Sequence, residues 1–245
     1  MIKKRQRVRK TVLLISMILF PITLNYFSPY LIILGASRGI VAGSMITFAT
    51  LFLSSLFLGR LFCGWICPAG AIQEIAFMVN GKRPNIGRLD WIKYLIVWSP
   101  WITIIIFLFV KAGGVKKIDP FFMMETGISV AEPANYMIYL TVVGAFLMMS
   151  LLAGKRAGCH AFCWIAPFMV IGRKIRNAAD YPALRLKSDS KKCVSCGACT
   201  KACPMSLDVQ KMVEVNKMGN SECILCGECI DACPNSVIRF SYSKG

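Results

Sequence analysis

All twelve cysteines of this 245-residue chain fall into four short motifs, and two of those motifs leave the C-terminal end little freedom in what it folds around. Cys193, Cys196, Cys199 and Cys203 form a C-x2-C-x2-C-x3-C run closed by Pro204, and Cys223, Cys226, Cys229 and Cys233 repeat it before Pro234. In such runs the first three thiolates wrap one [4Fe-4S] cubane and the fourth reaches the other cluster. The spacing therefore groups Cys193, Cys196, Cys199 and Cys233 for one cluster, and Cys223, Cys226, Cys229 and Cys203 for the second. Gly197 and Gly227 let the backbone turn close to inorganic sulfur, and each proline ends its loop. Structural zinc uses two C-x2-C pairs with a spacer, which these ordered runs do not follow.

The remainder reads as membrane protein. Hydrophobic residues are 56% of the chain and the mean hydropathy is +0.58, too apolar for an ordinary soluble domain. Four stretches approach the ~20 apolar residues that a bilayer crossing needs. They are Thr11 to Ser28, or on to Leu34 with Pro21 and Pro29 as kink sites, Ile40 to Leu58, Trp91 to Val110 and Tyr136 to Ala153. The first has a basic start but no convincing cleavage site after it, so it reads as a retained anchor. The expected fold is an α-helical membrane protein of four transmembrane helices with a two-fold internal repeat, followed by an α+β two-cluster ferredoxin domain. Its expected boundaries are a membrane domain over 1–172, a basic linker over 173–187 and the ferredoxin domain over 188–245.

Basic residues set the expected orientation. Lys3, Lys4, Arg5, Arg7, Arg9 and Lys10 precede the first span, Arg60, Lys82, Arg83 and Arg88 lie between the second and third, and Lys155, Arg156, Arg173, Lys174 and Arg176 follow the fourth. The opposite loops are poorer in such residues. The positive-inside rule then puts both termini and the ferredoxin domain in the cytoplasm, in a multi-pass protein of the cytoplasmic membrane. A basic face against anionic lipid accounts for the formal charge of +17 without nucleic acid, for which no motif is present.

The other four cysteines form two C-x3-C pairs. Cys63 and Cys67 sit in Gly59-Arg-Leu-Phe-Cys63-Gly-Trp-Ile-Cys67-Pro68, and Cys159 and Cys163 sit in Gly154-Lys-Arg-Ala-Gly-Cys159-His-Ala-Phe-Cys163. Each pair follows a span and exits on the same expected face, as a repeat would place them. Three readings stand open: a further iron-sulfur cluster on the four thiolates, a thiol or copper site using soft sulfur ligands, and a structural role. Disulfides are disfavoured on a reducing face.

With these residues in view, the chain resembles the NapH, MauN and NosR-type polyferredoxin membrane proteins and shares elements with CcoG-type proteins, which are implicated in cupric reduction. The likeness to NosR-type chains is confined to their membrane and ferredoxin parts, and after Cys163 the proline comes later, at Pro167, than the C-x3-C-P pattern has it. The resemblance implies an electron-transfer component between the quinone pool and a redox partner protein or reductase complex, such as a quinol dehydrogenase component of a larger system. The competing expectation is a copper-reducing or metalloenzyme-maturation protein.

His160 is the single histidine, so one chain cannot build a bis-histidine haem, and C-x2-C-H is absent. No haem is expected. His160 is the candidate proton acceptor for a quinol, or a residue facing the headgroups. Glu74 is a weaker acceptor candidate, and Asp119 to Glu125 reads as an interfacial turn or a cover for a quinone. The tryptophans suggest an aromatic belt, Cys163 to Gly172 a re-entrant or interfacial segment, and Asp208 to Met218 a short helix. Lys187, Lys191, Lys192, Lys201 and Lys211 offer a docking face for an acidic partner or a plain solvated surface.

Overall fold

Proline and glycine set most of the helix boundaries. The computed structural model describes residues 3–84, 93–124 and 127–244, so that Arg88, Trp91 and Glu125 of the sequence reading lie outside it. Helix α1 (Lys4–Ile18) is followed by α2 (Phe20–Thr23) and a 3-10 turn (Leu24–Phe27), and the two pieces are bent by 60°. Pro21, at the start of the second piece, has no N–H to bond back along the helix, and its ring crowds the preceding turn. Ser28 then caps α3 (Pro29–Arg38), accepting from the Leu31 N–H at 3.4 Å. A short strand, β1 (Ile40–Ala42), leads into α4 (Gly43–Leu58).

Two short helices, α5 (Leu61–Trp65) and α6 (Pro68–Ala76), follow. A π-helical segment (Lys93–Trp98) runs into α7 (Ser99–Lys111), with Pro100 at the junction removing a helical donor. Strand β2 (Lys117–Asp119) pairs in parallel with β1, Ile40 opposite Lys117. Then come α8 (Pro133–Ala153), α9 (Ala157–Ala161) and α10 (Ile165–Ala179).

Of the expected spans, Lys93–Lys111 and Asn135–Ala153 are long and apolar enough to cross a bilayer, and the bent N-terminal pair makes a third if taken as one pass. Helix α4 has 16 residues, about 24 Å at 1.5 Å per residue, because Ile40 to Ala42 went into a strand instead. Only 6% of the Asn135–Ala153 window is buried within the molecule. Its Met137, Ile138, Leu140 and Leu152, like Ile106, Phe107 and Val110 of α7, are exposed. Apolar flanks of this extent are consistent with membrane association.

Residues 173–187 are ordered structure rather than an extended connector: the end of α10, a turn, and most of strand β3 (Ala183–Ser188). Arg173 and Arg176 are buried there, and α10 packs along α4. In the C-terminal module β3 pairs antiparallel with β4 (Ile238–Ser243), framing α11 (Ala198–Ala202), α12 (Val209–Glu214) and α13 (Glu228–Ala232). The Asp208 carboxylate caps α12, inside the stretch expected to be helical. The two cysteine runs share one backbone path: Ser195 and Leu225 both have φ 53°, Gly197 and Gly227 have 73° and 79°, and Ser206 and Ser236 have 55° and 50°. One continuous apolar cluster joins Met205, Val213, Ile224 and Ile238 of this module to Phe48, Trp101, Ile165 and Met169 of the helical part.

Candidate metal centres

Two narrow cavities lie inside the C-terminal module. One is lined by Cys193, Cys196, Cys199 and Cys233 beside Gly197 and Pro234, and the other by Cys203, Cys223, Cys226 and Cys229 beside Pro204 and Ile224. Each cavity thus takes three cysteines from one run and the last from the other. The exchange follows from the packing of α11 on α13, each of which ends at its run's fourth cysteine. Burial pushes the Cys203 thiol up to about 11 and raises those of Cys226 and Cys229 as well. Such thiols stay protonated until a cationic centre draws the proton off, and all-sulfur donor sets suit iron-sulfur cores. Among the described residues no three or more His, Cys, Asp or Glu side chains form a group that could hold a single metal ion.

The C-x3-C pairs also meet. Cys63 is the third residue of α5 and Cys159 the third of α9, and Cys67 and Cys163 follow each helix by two residues. Cys63, Cys67 and Cys159 are buried and Cys163 is half-buried. Burial raises the Cys63, Cys67 and Cys163 thiols, and the other cysteines of the set add to the shift. The surroundings are reciprocal. Gln73, six residues after Cys67, donates from Nε2 to Cys159 Sγ at 3.1 Å, while Met169, six residues after Cys163, places Sδ 3.5 Å from Cys63 Sγ.

Two buried arginines flank this set, each three residues before the first cysteine of a pair. Arg156 donates to the Cys63 carbonyl at 2.6 Å and to Glu74 Oε1 at 2.5 Å; Arg60 donates to Glu222 Oε2 at 2.5 Å. Lys93 completes the second clamp at 2.8 Å from Glu222 Oε1. Burial alone would raise the Glu222 carboxyl, but Arg60 and Lys93 outweigh it and hold it down to about 2. At Glu74 the same contest, with Arg156 and Arg9 as the cations, also ends below the ordinary value. Gly59 (φ 59°) and Gly154 (φ 102°) turn the chain from α4 and α8 into these motifs, a backbone that a side chain would strain.

The second cysteine run is seated directly on the C-x3-C motifs. Gly64 lies so close to Ile224 that a Cβ at 64 would sit 2.3 Å from the Ile224 carbonyl oxygen. Trp65 Nε1 donates to the Leu225 carbonyl at 3.0 Å, and Arg173 donates to that of Cys223. From α1, Gln6 donates to the Cys226 carbonyl at 3.1 Å, Arg5 pairs with Asp231 at 2.6 Å, and Arg9 bridges Glu74 and Glu228.

Several residues therefore have a different role from the one their sequence position suggested. Arg9, Arg60, Arg156, Arg173 and Arg176 face inward rather than toward lipid, because carboxylates or backbone carbonyls await them there. Glu74 is held in an ion-pair clamp. Trp65 is a docking donor and Trp101 stacks near Trp164 at 5.4 Å. Segment 163–172 enters α10, with Met169 and Val170 fully buried. His160 is buried in α9. In the 119–125 stretch Phe122 is buried and Phe121 exposed. Gln73, Met169, Lys93 and Glu222 were not foreseen. The arginine three residues before each C-x3-C pair was the available signal.

Two families match the chain: one described as a 4Fe-4S binding domain over residues 41–86, which takes in Cys63 and Cys67, and one described as a 4Fe-4S dicluster domain over residues 185–234. Among curated proteins the chain is similar to the putative electron transport protein YccM of Escherichia coli, 23% identical over 76% of this chain and 53% of that protein. It is also similar to the methylamine utilization ferredoxin-type protein MauN of Methylobacillus flagellatus, 24% identical over 61% and 50%, and to protein RdxB of Cereibacter sphaeroides, 25% identical over 65% and 39%. The chain thus spans about half the length of YccM and MauN. No solved structure matches it. The chain carries 4Fe-4S ferredoxin-type domains and has electron-transport proteins as relatives, in accord with a NapH/MauN-type polyferredoxin.

Proposed function

We propose that this protein relays single electrons between a membrane donor and a redox partner through two [4Fe-4S] clusters in its C-terminal module. The carrying observation is the crossed pair of four-cysteine cavities. Cys193, Cys196, Cys199 and Cys233 would hold one cluster, and Cys223, Cys226, Cys229 and Cys203 the other. When bound, such clusters supply one-electron chemistry at a potential tuned by hydrogen bonding and exposure. Cys196 and Val194 are exposed, which makes the first quartet the side presented to a partner. The second faces inward, onto Gly64 and Trp65.

The C-x3-C quartet is read as a further iron-sulfur site feeding the second quartet. Support comes from the convergence of Cys63, Cys67, Cys159 and Cys163, the two buried arginines that offset thiolate charge, and the 4Fe-4S family match over residues 41–86. The division of labour is a membrane part over 1–172, with four passes and a two-fold repeat, a joint over 173–187, and a two-cluster part over 188–245. Both termini face the cytoplasm of a bacterial-type inner membrane. The reciprocal Gln73 and Met169 contacts support the repeat.

The donor in this reading is a quinol. A cavity of about 420 Å³ between α1 and α6 supports it, because apolar Leu13, Met17 and Ile75 line it together with Lys10 and Glu74, and it reaches Pro204 next to Cys203. His160 is the proton-handling candidate at the C-x3-C set. A second reading is copper reduction there, favoured by the Met169 thioether at 3.5 Å from Cys63 Sγ, a soft donor beside soft thiolates.

Iron and acid-labile sulfide, with Mössbauer spectra on anaerobic protein, test the assignment. Wild type is expected to hold about twelve irons and the Cys63→Ser/Cys159→Ser variant about eight, four per cluster. Eight in both would remove the third cluster and turn attention to cuprous binding at the same thiols. Failure of a quinol to reduce the clusters in the wild type would remove the donor.

A further inference from the structure

Buried arginines elsewhere in this protein have carboxylate partners: Arg9 has Glu74 and Glu228, Arg60 has Glu222, and Arg156 has Glu74. Arg173, Arg176 and Arg185 break this pattern. They are 1%, 0% and 8% exposed, and together they line a cavity of about 750 Å³ between the end of α10, strand β3 and the loop before the second cysteine run. Lys187 and Lys217 stand at its rim, and among the described residues no Asp or Glu lines it. Asp180 lies 3.5 Å from Arg185 and is 56% exposed.

Hydrogen bonds to neutral acceptors do not offset the charge of Arg173 and Arg176, and Asp180 meets Arg185 from an exposed position. Arg173 donates to the Cys223 carbonyl, Arg176 to that of Leu184 at 2.8 Å and Arg185 to that of Ser243 at 3.1 Å, all neutral acceptors. The Nε atoms of Arg173 and Arg176 are buried with no hydrogen-bond partner. Burial, together with the Arg173 and Arg185 cations, pulls the Arg176 guanidinium down to about 10, still charged at neutral pH. A cluster on the second quartet offsets Arg173, which reaches the Cys223 backbone. Arg176 bonds to the Leu184 carbonyl and Asn177 Oδ1, and Arg185 to Asn177 Oδ1 and the carbonyls of Ser243, Arg176 and Tyr181, none of them in a cysteine run.

We propose that this cavity binds a phosphate-bearing anion. Guanidinium forks match phosphate oxygens in pairs, and the volume admits a phosphate with its substituent. The phosphate can come from a free compound or from an anionic lipid headgroup. The cavity lies where α4 ends, since Arg176 abuts Gly59 and the Tyr181 hydroxyl donates to the Leu56 carbonyl at 2.6 Å.

The test uses the full chain with its clusters in nanodiscs of phosphatidylcholine, titrated with inorganic phosphate against chloride at matched ionic strength and followed by thermal melting. A parallel preparation with phosphatidylglycerol is read by native mass spectrometry for retained lipid. A saturable, phosphate-specific rise in melting temperature assigns a free phosphate. Retained phosphatidylglycerol without a phosphate response assigns the headgroup. Arg176→Gln/Arg185→Gln should weaken whichever binding is seen by about tenfold or more, as expected for charge-assisted hydrogen bonds. Should that variant not fold, Lys187→Gln/Lys217→Gln, at exposed positions, should weaken it by about threefold, the scale of a solvent-screened charge. Neither a phosphate response nor retained lipid in the wild type, or undiminished binding in the folded variants, overturns the proposal.

Discussion

Replacing Gly64 by alanine tests the seat between the C-x3-C motif and the second cysteine run. The new Cβ would lie 2.3 Å from the Ile224 carbonyl oxygen, 3.3 Å from its carbon and 3.4 Å from the Cys226 nitrogen. These are backbone atoms of the loop that carries Cys223 and Cys226, so no side-chain rotation relieves the clash, and the loop must retreat by about 1 Å, an overpacking that costs ~1–3 kcal/mol. The intrinsic preference of a helix for alanine over glycine returns up to ~1 kcal/mol, which leaves a net loss of up to roughly 2–3 kcal/mol. Gly144→Ala in α8 is the matched control, because nothing lies within 4 Å of its Cβ. Thermal melting in nanodiscs and limited proteolysis of the C-terminal module should show G64A weakened and G144A unchanged or stabilised by up to ~1 kcal/mol. In stopped flow, reduction of the module from the membrane side should slow in G64A alone. A G64A protein that melts, resists protease and transfers electrons like wild type would refute the close seating and the relay route through it.

Glu74→Gln should cost about 3–5 kcal/mol at neutral pH, since it leaves Arg156 buried without its carboxylate and Arg9 with Glu228 alone. The folded Glu74 carboxyl lies below its ordinary value of 4.5, so its stabilisation is complete above that pH and is lost as pH falls through the lower folded value. Melting curves of wild type and E74Q should therefore draw together as the pH falls below 4.5; curves that stay parallel down to the acid limit of folding would contradict the clamp. Cys203→Ser should disturb the cluster of Cys223, Cys226 and Cys229, not that of its own run, as read by EPR against Cys233→Ser, which should do the reverse. Trp65→Phe removes one hydrogen bond to the Leu225 carbonyl and should cost about 1 kcal/mol in the same melt, with cluster content unchanged.

The spacing of the cysteines made the C-terminal module legible as a 4Fe-4S dicluster domain, and the two cavities group the cysteines as that spacing does. The apolar runs similarly disclosed α7 and α8. What the residues of one segment could not disclose is a long-range pairing. Ile40 to Ala42 reads as the start of a membrane helix, yet it pairs with Lys117 to Asp119, a partner 77 residues away in the chain. The basic residues misled for a related reason. Arg9, Arg60 and Arg156 carry the same charge as a lipid-facing arginine, and only the positions of Glu74, Glu222 and Glu228 in space turn them inward. Residues 173–187 looked like a connector because they are polar, although their arginines are buried polar contacts.

The chemistry of the seat bears on what the relay requires. An apolar joint would give adhesion with little directional preference, since burial of hydrocarbon is roughly proportional to area whichever way the surfaces are turned. Here an apolar core is shared, but the atoms that set the register are donors aimed at single carbonyls: Gln6 at Cys226, Trp65 at Leu225 and Arg173 at Cys223. Two carboxylates held between pairs of cations close the sides. Buried pairs of this kind add little net stability over apolar packing but penalise misalignment heavily, because a displaced partner leaves a charge unmet. All three carbonyls belong to one cysteine loop, so the contacts fix the second quartet, rather than the first, against Cys63 and its neighbours. A protein selected only to keep its module attached would not need that discrimination. One that passes electrons from the helical part to the second quartet, and outward through the more exposed first, would.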